Sequence, residues 1–133
     1  MNLSEYFNGK SGLGILATAS SSGEVDAAIY SIPHVMDDGT VAFIMRDRLT
    51  HNNLGSNPHA AFLFVETPSH FKGIRLFLEK IKEDRDENLI RQMTRRHLSP
   101  EEDKAHGDKF LVYFKVKKIV NLIGGETPDI ATE

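Results

Sequence analysis

The sequence predicts a mainly β protein: a six-stranded antiparallel β-barrel with two or three short helices packed outside it. Three observations lead to this fold class. About six short segments are apolar or alternate between apolar and polar residues. Most of them are joined by tight turns rich in glycine, aspartate and proline, which reverse the chain between antiparallel neighbours. Only the connections at residues 50–56 and 84–108 have a helical pattern, too few for a parallel sheet in which a helix follows each strand.

Length and composition narrow the classes of function. A chain of 133 residues is expected to form one domain, residues 1–133. The formal net charge is −3 and the Lys and Arg residues are scattered, so neither a nucleic-acid interface nor a basic membrane patch is indicated. There is no cysteine, which excludes disulfides and thiolate chemistry. No apolar run could cross a bilayer and the N-terminus lacks a secretory signal, so we expect a cytoplasmic protein.

The first half of the chain is predicted to contain a short helix, a β-hairpin and a third strand. Residues 15–19 and 25–32 suit the hairpin strands, because the loop between them is small, polar and contains glycine. Pro33 ends the second strand, since proline has no amide N–H to donate. The Asp-Asp-Gly sequence at residues 37–39 predicts a reverse turn, so Val41–Arg46 is expected to pair antiparallel with the strand before it.

The second half is predicted to contain three further strands, at residues 60–65, 71–82 and 110–123. In the middle one, the alternation places Ile74, Leu76 and Leu78 on one face. Between the last two strands the period becomes helical, which predicts an amphipathic helix over residues 85–97 and a shorter one that starts at Ser99-Pro100.

Residues 41–65 form the most informative stretch. An apolar strand ends at Arg46-Asp47-Arg48, and a short helix is predicted over residues 50–56 with Thr50 as its N-cap. The first amides of a helix have no intrahelical partner and point outward with the positive end of its dipole. With two arginines beside them, the sequence predicts a site for an anionic group, most plausibly a phosphate. The alternative is that both arginines are solvated strand ends.

Other polar residues give no catalytic constellation. The six histidines lack the spacing of a metal site, so no metal is expected. His51, at the opening of the predicted helix, is interpreted as an exposed helix residue. The acidic residues after Ser99 are interpreted as a helix start. No general acid or base can be named.

The pattern resembles a known family. The strand FIMRDR, the helix opening LTHNNL, the strand SNPHAAFLF and the late strand FKVKKIVNLIGG are together similar to the pyridoxamine 5′-phosphate oxidase-like FMN-binding split-barrel proteins, in their small single-domain form. The similarity covers residues 13–124. It implies a split β-barrel homodimer with FMN at the subunit interface, and oxidoreductase chemistry by flavin-mediated hydride or electron transfer.

The resemblance also implies cofactor-binding residues. The residues matching the phosphate site are Arg46, Arg48, Thr50 and Asn53, and those matching the flavin contacts of the second hairpin strand are Ala28, Ile29, Tyr30 and Ser31. From the residues alone, Asn53 could instead satisfy nearby backbone and Tyr30 could be a half-buried strand aromatic.

Two departures leave alternatives open. Many members carry a lysine at the helix opening, where this chain has Leu49-Thr50-His51, so either Arg48 supplies the charge or phosphate binding is weaker. The segments with which the full-length oxidase binds its substrate are also missing. The alternatives to an oxidoreductase are a non-catalytic module that binds or stores flavin or haem, and a relative that uses a deazaflavin.

Overall fold

One antiparallel sheet curls around an apolar core in the computed structural model, which describes residues 1–69, 71–95 and 99–132. Within these ranges the strands are β1 (Gly12–Ala19), β2 (Val25–Ile29), β3 (His34–Val35), β4 (Val41–Arg46), β5 (His59–Glu66), β6 (Gly73–Asp84) and β7 (Lys109–Asn121). Their spatial order is β2-β1-β5-β6-β7-β4-β3. The antiparallel β architecture is confirmed, with seven strands where six were predicted. The additional strand is the two-residue β3.

Alternating side chains of five strands form the core. Ile74, Leu76 and Leu78 of β6 are at most 2% exposed, as their spacing predicts. Next to them, the Phe43 ring centroid lies 5.2 Å from that of Phe62 and 5.7 Å from that of Phe114. These rings join β4, β5 and β7, so the core holds together strands that are far apart in sequence.

The described residues form four short helices where two or three were predicted: α1 (Leu3–Phe7), α2 (Leu49–Ser56), α3 (Glu87–Met93) and α4 (Pro100–Ala105). The Asp86 side chain caps α3, and the Ser99 hydroxyl caps α4 as predicted. α3 ends at Met93, earlier than residue 97, and residues 96–98 of the predicted helix lie outside the described ranges. None of these helices combines the length and apolar character that a bilayer span requires.

The predicted partner of β4 was wrong. β4 pairs with β7 along its whole length and with the two residues of β3, whereas β2 lies at the opposite end of the strand order. The hairpin turn at Asp38-Gly39 is present, but it joins β4 to β3. β2 ends at Ile29, and the segment from Tyr30 to Pro33 carries the chain from one sheet edge to the other.

The outer face of β2, β1 and β5 is apolar. In the strand register, Ile29, Ile15 and Leu63 lie side by side, and a parallel row contains alanines from the same three strands. Ile29 is 77% exposed and Val25 is 81% exposed. An antiparallel sheet with one face in water normally carries polar residues on that face, so this surface is unusual for a monomer.

Candidate functional site

A cleft opens where the sheet is incomplete. β3 covers only Val41 and Ala42 of β4, so among the described residues no strand pairs with the remainder of that edge. Across the gap lies the segment from Tyr30 to Ile32, and the Tyr30 ring packs edge-on against Phe43, with centroids 5.8 Å apart. A cavity of about 390 Å³ lies between this segment and the β4 edge.

The cavity is strongly cationic. Its lining contains four permanent cations and two histidines: Arg46, Arg48, Arg95, Lys109, His34 and His106. No acidic residue lines it in the part of the chain that the structure describes. The whole chain carries a formal charge of −3, so the positive charge of the cavity is opposite in sign to the net charge of the protein. Such a cavity favours an anionic ligand.

Arg46 fastens α4 to the end of β4. Its guanidinium donates to the Asp103 carboxylate at 2.8 Å and to the carbonyl oxygens of Asp103 and Gly107 at 3.1 and 2.6 Å. Lys109 reaches the same carboxylate at 2.8 Å. These bonds, from Lys109 first and Arg46 second, hold the pKa of Asp103 below its usual range. Much of the charge of Arg46 is therefore already paired.

The start of α2 differs from the prediction. The N-cap is Arg48, not Thr50, because the helix begins at Leu49 and the Asn52 amide bonds the Arg48 carbonyl. No side chain of the described residues caps this end. The first amides of α2 thus keep their hydrogen-bonding capacity, next to the exposed Arg48. An anion can complete this helix start.

Two of the predicted phosphate residues lie beneath the cleft. Thr50 is 5% exposed and Asn53 is 4% exposed. The Asn53 amide donates to the buried Thr18 hydroxyl at 3.1 Å, which fixes α2 to β1. Burial raises the pKa of the Tyr30 hydroxyl, and a hydrogen bond with Thr50 opposes part of that rise. Thr50 therefore contacts the cleft wall through Tyr30, whereas Asn53 fastens α2 to the sheet.

The eight predicted residues divide evenly with respect to the cavity. Its lining includes Tyr30, Ser31, Arg46 and Arg48, and does not include Ala28, Ile29, Thr50 and Asn53. Ala28 pairs with Leu16 in the β1–β2 ladder, whereas Ile29 belongs to the exposed outer face.

The sequence analysis missed the cations at the far end of the cleft. Arg95, just beyond α3, donates to the Ile32 carbonyl, and its Nη2 lies 3.5 Å from His34 Nδ1. Burial lowers the pKa of Arg95, and burial together with the charge of Arg95 lowers the pKa of His34. No sequence signal brings these two residues together. Lys109, by contrast, faces Arg46 in the β4–β7 register and could have been found from the correct strand pairing.

His51 attaches α2 to strands β6 and β7. Its Nδ1 lies 2.8 Å from the Asp47 carboxylate and its Nε2 lies 2.6 Å from that of Glu83. The ring stacks on Phe110 with centroids 4.0 Å apart. The side chain is 15% exposed, so its interpretation as an exposed helix residue was wrong. The helix that borders the cleft is thus tied to β6 and β7 as well as to β1.

No protein-family model matches the chain, and no curated protein matches it by sequence. Solved structures do. An FMN-binding protein from Syntrophomonas wolfei subsp. wolfei is 23% identical with a TM-score of 0.67, over 84% of this chain and 77% of that one. HupZ from Group A Streptococcus is 18% identical with a TM-score of 0.65, over 88% and 90% of the two chains.

A third structure, an F420 reductase, is 18% identical with a TM-score of 0.59, over 81% of this chain and 88% of that one. At these identities the likeness concerns the fold. The chain has the split β-barrel fold of the pyridoxamine 5′-phosphate oxidase-like proteins.

Proposed function

We propose that this protein binds FMN in the cleft between the Tyr30–Ile32 segment and β4, and that the bound flavin serves an oxidoreductase. The observation that carries the proposal is a cavity whose described lining holds four cations and no acid, and in which Arg48 is also the N-cap of the uncapped helix α2. A terminal phosphate is the group that such a helix start binds best. The fold likeness to an FMN-binding protein supports the same ligand.

The roles within the site follow from the contacts. Arg48 and the first amides of α2 bind the phosphate, and Arg46 shapes that end by holding α4. Tyr30, Ser31 and the unpaired edge of β4 orient the flavin ring with main-chain and side-chain groups. When bound, the flavin supplies the hydride or electron transfer, and the protein supplies binding, orientation and electrostatics.

A homodimer is part of the proposal. The apolar outer face of β2, β1 and β5 needs a cover, and its most exposed residues are isoleucine and valine. β2 continues directly into the Tyr30–Ile32 segment, so a second copy on this face would also reach the border of the cleft. The cleft is open, and two subunits can enclose a large apolar ring that one small barrel cannot.

The cofactor is tested first by the protein as purified. We expect a yellow protein whose visible spectrum and heat-released ligand mass correspond to FMN. A ligand with the mass of a deazaflavin would favour the alternative that the F420 reductase likeness suggests. Bleaching by NADH or NADPH followed by turnover under air supports an oxidoreductase, and an unchanged spectrum favours storage.

The position of the phosphate is tested with Arg48→Gln. Loss of a charge-assisted hydrogen bond costs about 1.5–3 kcal/mol, so FMN affinity should fall by more than tenfold. Arg91→Gln is the matched control, because Arg91 is exposed on α3 and outside the cavity lining. Equal FMN dissociation constants for Arg48→Gln and the parent protein would contradict the proposed phosphate site.

The dimer is tested with Ile29→Glu. A charge at this highly exposed position of the apolar face should convert the dimer to a monomer in sedimentation velocity, with loss of flavin retention. Ile81→Glu is the control, since Ile81 is also exposed, at 54%, but lies on β6 beyond its pairing with β5. A parent protein that sediments as a monomer would contradict this part of the proposal.

A further inference from the structure

The cavity is a single space with positive charge at two separate ends. One end, called the Arg48 end, contains Arg48 together with Arg46 and Lys109, which face each other in the β4–β7 register. The other contains His34, which faces Ala42 in the β3–β4 register. Ala42 and Arg46 are four residues apart on an extended strand, so the two ends are about 13 Å apart.

The far end is built around Arg95. The Arg95 guanidinium donates to the Ile32 carbonyl and lies beside His34, and both side chains line the cavity. Among the described residues, no carboxylate forms an ion pair with Arg95, whereas Arg46 and Lys109 share that of Asp103. A guanidinium held on one side by a main-chain oxygen keeps other N–H groups for a ligand.

We infer that Arg95 and His34 form a second anion-binding subsite, which binds a phosphate or carboxylate group of the small molecule that exchanges electrons with the flavin. The inference rests on the proposed function in that the flavin phosphate occupies the Arg48 end. The substrate class it names is an anionic small molecule, with its charged group bound about 13 Å from that end.

Two electrostatic observations support the subsite. Burial lowers the pKa of Arg95, which indicates a positive charge with incomplete solvation. Burial and then the neighbouring Arg95 lower the pKa of His34, so the imidazole is disfavoured as a cation while no anion is bound. A bound anion would relieve both costs, and the His34 ring would report its arrival.

The test uses inorganic phosphate as the probe and FMN-saturated protein, in which the Arg48 end is occupied. Phosphate is titrated at constant pH and ionic strength, and binding is followed by the NMR signals of the His34 ring, assigned with His34→Gln. We expect saturable shifts in the parent protein and in Arg91→Gln. In Arg95→Gln the phosphate affinity should fall at least about tenfold, with the FMN dissociation constant unchanged.

Three results would overturn the inference: no saturable shift in the parent protein, equal phosphate affinity in Arg95→Gln, or loss of FMN in Arg95→Gln, which would assign Arg95 to the cofactor. If the protein binds no FMN, the proposed function fails while the subsite remains testable. Phosphate is then titrated into the flavin-free protein. A His34 shift abolished by Arg95→Gln and retained in Arg48→Gln supports the subsite, and the reverse pattern overturns it.

Discussion

The two sides of this barrel are built in different ways. On the closed side, β1, β5, β6 and β7 pair in one continuous order, and their inward side chains are mostly apolar and nearly inaccessible. On the open side, β3 stops after two residues, and the gap is lined by charged side chains and main-chain edges. If the proposed function is correct, stability and ligand binding are assigned to separate parts of one sheet.

The largest expected effect lies on the closed side. Phe62 is fully buried and packs on Phe43, so Phe62→Ala should lower the free energy of unfolding by about 3–5 kcal/mol. Urea denaturation measures this. Phe71→Ala is the control, since Phe71 is 76% exposed and should change stability by less than about 0.5 kcal/mol. Similar losses for the two variants would contradict the burial of Phe62 as the source of this stability.

A smaller effect is expected at the link between the sides. Asn53→Ala leaves the buried Thr18 hydroxyl without its donor, at a cost of about 1–3 kcal/mol in unfolding free energy. Replacing both residues, with Thr18→Val as the second change, should cost less than the sum of the single changes. Strict additivity in this double-mutant cycle would mean that the hydrogen bond does not fix α2 to β1.

The contacts of His51, which tie α2 to β6 and β7, should contribute less to stability than the Asn53–Thr18 hydrogen bond. His51→Phe keeps a ring on Phe110 and removes both hydrogen bonds to carboxylates. Because Asp47 is 67% exposed, we expect a loss of only about 1 kcal/mol in urea denaturation. Glu83→Gln should reproduce more of this loss than Asp47→Asn, since Glu83 is less exposed. The opposite order would contradict the assigned roles.

The smallest effect concerns the open side and depends on pH. The bonds from Lys109 and Arg46 lower the pKa of Asp103, so this carboxylate stabilises the fold above its unfolded pKa, near 3.9. The stabilisation is lost as pH falls through the lower folded value. Asp103 is 42% exposed, so Asp103→Asn should cost about 0.2–1 kcal/mol at pH 7. Denaturation at pH 7, 5 and 2.5 should show the difference shrinking only at the lowest pH, and a difference that persists there would contradict this origin.

The sequence predicted the closed side well because its signals are local. The alternation of Ile74, Leu76 and Leu78 predicts a half-buried strand without knowledge of its partners. The two-residue β3 and the order of strands depend on long-range pairing, which no local pattern contains. This is why β4 was assigned the wrong neighbour.

The open side was predicted in part. The two arginines at the end of β4 predicted the anion site, and both line the cleft. Thr50 and Asn53 suit a helix start by residue type, but their burial under Tyr30 and against Thr18 is decided by packing. Arg95 contacts His34 only because the chain just beyond α3 lies over the segment after β2. Arg46 and Asp103 form a hydrogen bond although they are 57 residues apart in sequence. Neither contact can be read from a local pattern.

The shortness of β3 has a consequence for how this protein tolerates change. Had β3 continued beside Phe43 and Ile44, it would have satisfied the β4 peptide groups that face away from β7, and it would have filled the cavity. As it stands, one wall of the cavity is polypeptide backbone, whose donors and acceptors are the same whatever residue occupies each position. Substitutions along this wall can therefore change the shape of the cavity, while the hydrogen-bonding groups of the wall are retained.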